Sequence, residues 1–66
     1  MKKIEMINSL KRRLEDIGKG YKFERRSLLL DLLDEVEELL TEESEDWVKE
    51  ELEFIKECIE SKLAEI

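Results

Sequence analysis

The chain has 66 residues, of which 41% are hydrophobic and 47% charged, with two glycines, no proline and a formal net charge of −7. That length allows one domain, and the apolar content is too high for a disordered segment. A chain of this size buries only about 60% of the surface its unfolded form exposes, so association with another copy or a partner is a natural way to thicken a thin core.

The longest uninterrupted apolar run is Leu28 to Leu30, far short of the roughly 20 residues that span a bilayer. No basic-then-apolar leader follows Met1, and a lone cysteine, Cys58, fits a reducing compartment. The expectation is a cytoplasmic protein without membrane contact.

The first predicted helix runs from about residue 2 to 17. Ile4, Ile7, Leu10, Leu14 and Ile17 recur at steps of three and four, the mark of one buried helical face. Gly18 follows, where a left-handed residue commonly ends a helix. Lys19 and Gly20 complete a short turn, so a second helix should return antiparallel.

That second helix is expected over about residues 21 to 40, with Leu29, Leu32, Leu33, Val36, Leu39 and Leu40 as its stripe and Leu28 widening it. Its start has two readings: near Tyr21, or at Ser27, a good cap for a shorter helix. Thr41 to Asp46 is a polar break in which Ser44 is a candidate N-cap. A third helix over about residues 45 to 64 carries Val48, Leu52, Ile55, Ile59, Leu63 and the terminal Ile66 on its core stripe. The fold class expected is all-α: a small three-helix bundle, or a helical hairpin plus a third helix, antiparallel and self-associating.

Some apolar side chains fall off these stripes. Trp47, Phe54 and Cys58 share a face of the third helix about 100° from Val48, Leu52 and Ile55. Phe23 and Leu30, seven residues apart, sit off the Leu33/Val36 face of the second. These five are the candidate protein interface, with Trp47 and Phe54 as anchors. The competing reading is that they only widen a compact core. Cys58 reads as a small buried hydrophobe.

Charge is unevenly spread. Residues 1–26 hold nine Lys/Arg against four acids, a net of +5, and residues 27–66 hold three lysines against fifteen acids, a net of −12. Either the basic part lies against the acidic part and neutralises it, or each serves a partner. A candidate basic patch comprises Lys11, Arg12, Arg13, Lys19, Lys22, Arg25 and Arg26, with Tyr21 and Phe23 placed to stack on bases. The acidic pI of 4.6 argues against nucleic acid as the main partner.

Catalysis finds little support. There is no histidine, so the commonest general base and zinc ligand are missing. Gly18-Lys19-Gly20 lacks the spacing of a phosphate loop. Asp31/Asp34, Glu35/Glu38 and Glu50/Glu53 each stand three apart, as in the carboxylate pairs that hold Mg²⁺ in all-α nucleotide pyrophosphatases. Nineteen acids in 66 residues, however, generate such pairs from composition alone.

Ser27-Leu28-Leu29-Leu30-Asp31 is similar, at Ser27, Leu30 and Asp31, to the S-Q-E-L-D signature of helical-hairpin phosphatases that act on sporulation response regulators. The Gln and Glu that carry that chemistry are here Leu28 and Leu29.

The expected function is therefore non-enzymatic and free of cofactors: a small acidic protein-binding or regulatory module acting through apolar helix faces as a homodimer. Two alternatives stand beside it. One is a virus- or mobile-element-encoded inhibitor whose acidic surface mimics nucleic acid. The other is a helical-hairpin RNA- or DNA-binding protein using the basic patch.

Overall fold

The structure, a computed structural model, describes residues 2–19 and 22–66, with the side chains of Lys22 and Phe23 outside the description. Helix α1 is Lys3–Gly18, α2 is Lys22–Glu42 and α3 is Asp46–Glu65. The described residues contain no strand, and each helix packs against the other two.

The core is wholly apolar. Ile7, Leu10 and Leu14 enter it from α1, Leu29, Leu32 and Val36 from α2, and Val48, Leu52, Ile55 and Ile59 from α3. Met6, Ile17, Leu33, Leu39, Leu40, Cys58 and Leu63 pack half-buried around this centre. Each fully buried Leu or Ile contributes about 1.5–3 kcal/mol by leaving water, and that burial is what makes three short helices hold together.

Five expectations need correction. Ile66 does not join the core stripe of α3: it lies beyond the last residue of that helix and is 50% exposed. Leu28 does not widen the core: it is 44% exposed, as is Leu30, while Leu29 between them is fully buried. Three consecutive residues step by about 100° each on a helix, so only the middle one faces inward. Ile4 is likewise exposed rather than buried. It and Ile17 occupy opposite edges of the α1 stripe, about 140° apart at helical spacing, and two neighbouring helices cover only the middle of that arc.

Gly18 is the last residue of α1 and not a left-handed cap, for no described residue has positive φ. The helix ends by tightening: the Lys19 N–H, with φ −95° and ψ −6°, donates to the Asp16 carbonyl at 3.1 Å. Ser44 is not the N-cap of α3. That position belongs to Glu45 (φ −85°, ψ 127°), which makes no side-chain capping bond, so the Ser44 hydroxyl stands one residue too early to cap the first-turn amides.

Ser27 lies inside α2, so of the two readings of its start the structure has the longer helix. Near its other end Thr41 returns its hydroxyl to the Glu37 carbonyl at 3.0 Å. The turn into α3 is organised by the Glu43 carboxylate, which accepts the N–H groups of Ser44 at 3.2 Å and Glu45 at 3.0 Å. It also accepts the Lys3 ammonium at 2.8 Å, which ties the start of α1 to this turn. Asp46 occupies the first turn of α3 and Lys62 its last, both favoured by the helix dipole.

Candidate interaction surface

Ion pairs define the flanks of the bundle. On one side of α1, Lys11 meets Glu51 of α3 at 2.9 Å. On the other, Arg13 meets Glu35 of α2 at 2.7 Å. Between α2 and α3, Lys56 approaches Glu37 at 4.0 Å. The three grooves are thus marked by Lys11–Glu51, Arg13–Glu35 and Glu37–Lys56.

Trp47 and Phe54 belong to the Lys11–Glu51 flank. They are seven residues apart and bracket Glu51 on the same face of α3. Trp47 is 46% exposed and Phe54 59%. Cys58 continues this face but sits half-buried against the core, with a free thiol. Ile4, 49% exposed, shares a face of α1 with Lys11, again seven residues away. The Lys11–Glu51 contact sets these two faces side by side, so Ile4, Trp47 and Phe54 border one groove.

Leu30 stands elsewhere. It shares a face of α2 with Glu37, which turns it to the α2–α3 groove. The side chain of Phe23 is outside the described residues. Of the four candidate interface residues whose side chains are described, Trp47, Phe54 and Cys58 share one face of α3 and Leu30 lies apart from them, while Ile4 stands across the groove from Trp47 and Phe54. Sequence reasoning missed Ile4 because steps of three and four include it in the α1 stripe; its place at that stripe's edge was the available signal.

The Trp47 indole is held in a defined position. Its Nε1–H donates to Glu45 Oε2 at 2.8 Å. The other oxygen, Glu45 Oε1, lies 3.2 Å from Lys3 Nζ. Lys3 thus bridges Glu43 and Glu45. The Glu43 carboxyl is held below its ordinary range first by the Lys3 hydrogen bond and then by the Glu45 N–H, and Lys3 is raised chiefly by Glu43.

Of the candidate basic residues whose side chains are described, Lys11 and Arg13 lie apart. Lys11 and Arg13 point to different grooves of α1 and each is tied to an acid of another helix. Arg12 is exposed on the outer face of α1, Lys19 is exposed just past its end, and Arg26 is exposed on α2. Arg25 lines a cleft at the far end of the bundle with Gly18, Lys62, Glu65 and Ile66. The side chain of Lys22, and all of Tyr21, lie outside the described residues. By contrast, Asp31, Asp34, Glu38 and Glu42 share the outer face of α2, and Asp46, Glu50, Glu53 and Glu57 that of α3, all exposed.

Among the described residues no three His, Cys, Asp or Glu side chains gather as a metal site, and no described helix is long and apolar enough to cross a membrane. No family model matches this chain, and no curated protein or solved structure matches it either.

Proposed function

We propose that this chain is a non-catalytic protein-binding and regulatory module that works as a homodimer through its α1–α3 flank. The observation that carries this reading is the exposure of Trp47 and Phe54 on one face of α3, with Ile4 across the groove. Large aromatic side chains are the usual anchors of protein interfaces. In a chain with so thin a core, leaving them in water forfeits burial that a partner would recover.

Charge limits where a second copy could dock. Two chains of net charge −7 repel wherever their acidic outer faces meet. On the α1–α3 flank Lys3 stands against Glu43 and Glu45, and Lys11 against Glu51, so this flank is less acidic than the outer faces of α2 and α3. Within each copy we read the helices as a single up-down-up domain. The pairing of Lys3 with Glu43 and of Arg13 with Glu35 supports antiparallel α1 and α2, and Lys11 with Glu51 and Lys3 with Glu45 support parallel α1 and α3.

The test is solution mass by sedimentation equilibrium over a concentration series at low and high salt. A dimer that persists at high salt is expected of an apolar contact. A monomer at every concentration would overturn the homodimer.

A second reading follows from the acidic outer faces of α2 and α3. In it the chain is an inhibitor whose carboxylates imitate nucleic-acid charge at a basic protein site. Its contact would weaken steeply with salt, which separates it from the first reading in the same experiment once a basic partner is supplied.

A further inference from the structure

The three helices are not held equally. α2 and α3 lie against each other along a more extensive contact than either makes with α1. The core residues of α2 and α3 are 1% exposed or less, whereas Leu10 and Leu14 of α1 keep 3% and 8%. Charge divides the chain at the same place. Residues 1–19 carry six Lys/Arg against three acids, and residues 22–66 carry six against sixteen. α1 therefore meets neighbours of opposite sign. α2 and α3, with seven acids and three basic residues each, repel one another.

The ion pairs follow this division. Lys3 reaches Glu43 at 2.8 Å and Glu45 at 3.2 Å, Lys11 reaches Glu51 at 2.9 Å, and Arg13 reaches Glu35 at 2.7 Å. Between α2 and α3 the approach of Lys56 to Glu37 is looser, at 4.0 Å. Lys11, Glu51, Arg13 and Glu35 are each 40% or more exposed, so these pairs hold α1 weakly and are open to screening by salt.

We propose that α1 is a releasable cover on the α2–α3 pair, held closed by attraction between unlike charges and able to open as a unit while α2 and α3 stay together. Opening uncovers Ile7, Leu10 and Leu14 and the apolar face against which they pack. The chain can then present a larger apolar surface without losing all of its structure. Ionic strength acts on the two contacts in opposite senses. Salt screens the attraction that closes α1, and it screens the repulsion between α2 and α3. This device is independent of the dimer reading.

The experiment is amide hydrogen exchange, followed residue by residue on the full chain, at a protein concentration where sedimentation shows a single species. It compares about 0.01 M with about 1 M sodium chloride, where the screening length falls from about 30 Å to about 3 Å. The protected amides of α1 should exchange faster than those of α2 and α3. High salt should speed exchange in α1 by about twofold or more and slow it in α2 and α3. Lys11→Met and Arg13→Met should each speed α1 exchange at low salt by about two- to fivefold, the range of an exposed ion pair, and reduce its salt dependence.

The wild-type comparison decides the matter even if a variant fails to fold. One common exchange rate in all three helices, moving in one direction with salt, would overturn the proposal, because the bundle would then open only as a whole. Slower exchange in α1 than in α2 or α3 would do the same. So would an α1 that opens first but is indifferent to salt, since its hold would then not be electrostatic.

Discussion

The ammonium of Lys3 meets the carboxylate of Glu43 at 2.8 Å, although forty residues separate them in the chain. This contact fixes how α1 enters the bundle, and it gives stability a pH dependence whose sign can be worked out. Glu43 is held below the ordinary glutamate value of about 4.5. Its contribution is therefore present above that value and is lost as pH falls through its lower, folded-state pKa. Lys3 is raised above about 10.5, so its contribution is full below that pH and fades as the solution rises through the folded-state value. Thermal melts should show a plateau from about pH 6 to 9 and a decline on the acid side. In Glu43→Gln the part of the acid decline that belongs to this pair should be missing.

Trp47→Ala and Phe54→Ala should each leave the helical signal in place, at a cost of about 1 kcal/mol or less, because both side chains are substantially exposed. Each should weaken the dimer by roughly tenfold or more, the effect expected of an anchor. Sedimentation equilibrium with parallel thermal melts checks both. Variants that unfold would place these rings in the core and end the interface reading.

Leu52→Ala is the contrasting case. Leu52 is fully buried in the middle of α3, and truncation there costs about 2–5 kcal/mol. A domain of this size has about 3–10 kcal/mol in total, so urea titration should show a midpoint sharply lowered or no folded baseline at all. Leu28→Ala, at a position that reads as core in the sequence, should shift stability by under about 1 kcal/mol.

Gly18→Ala should stabilise the protein. Gly18 is helical and has no positive φ, and an added Cβ would find nothing nearer than the Lys62 ammonium at 4.0 Å. Restricting the unfolded chain at such a position is worth about 0.4–1 kcal/mol. That corresponds to a rise of roughly 2–8 °C in Tm, readable by calorimetry.

How much could be read in advance differs from residue to residue. The three-helix, all-α arrangement was legible because Ile7, Leu10 and Leu14, then Leu29, Leu32 and Val36, then Val48, Leu52, Ile55 and Ile59 repeat at helical spacing, and burial follows that period. Edge positions were legible, but their coverage was not. Whether Ile4 or Leu28 is covered depends on where neighbouring helices stop, which periodicity does not encode.

The cap at Gly18 and the cap at Ser44 failed for a related reason. Residue type gives a preference, whereas Lys19 and the Glu43 carboxylate had a different local solution within reach. At the candidate site, the Trp47–Phe54 pairing was visible at a spacing of seven. The Lys3–Glu45–Trp47 chain was not, since it joins residues from two helices and a turn that only the folded arrangement brings together.

The position of Lys3 also bears on how the protein is handled at the bench. Lys3 begins α1 beside Glu45, which holds Trp47, whereas Ile66 lies past the far end of α3 with Gly18, Arg25 and Lys62. A purification tag, dye or surface linker fused ahead of Lys2 would leave the molecule next to the aromatic flank and shield it. The same group attached after Ile66 would leave from the opposite end of α3, about 30 Å away. Immobilisation from the Ile66 side is the orientation that keeps Trp47 and Phe54 open to whatever comes to meet them.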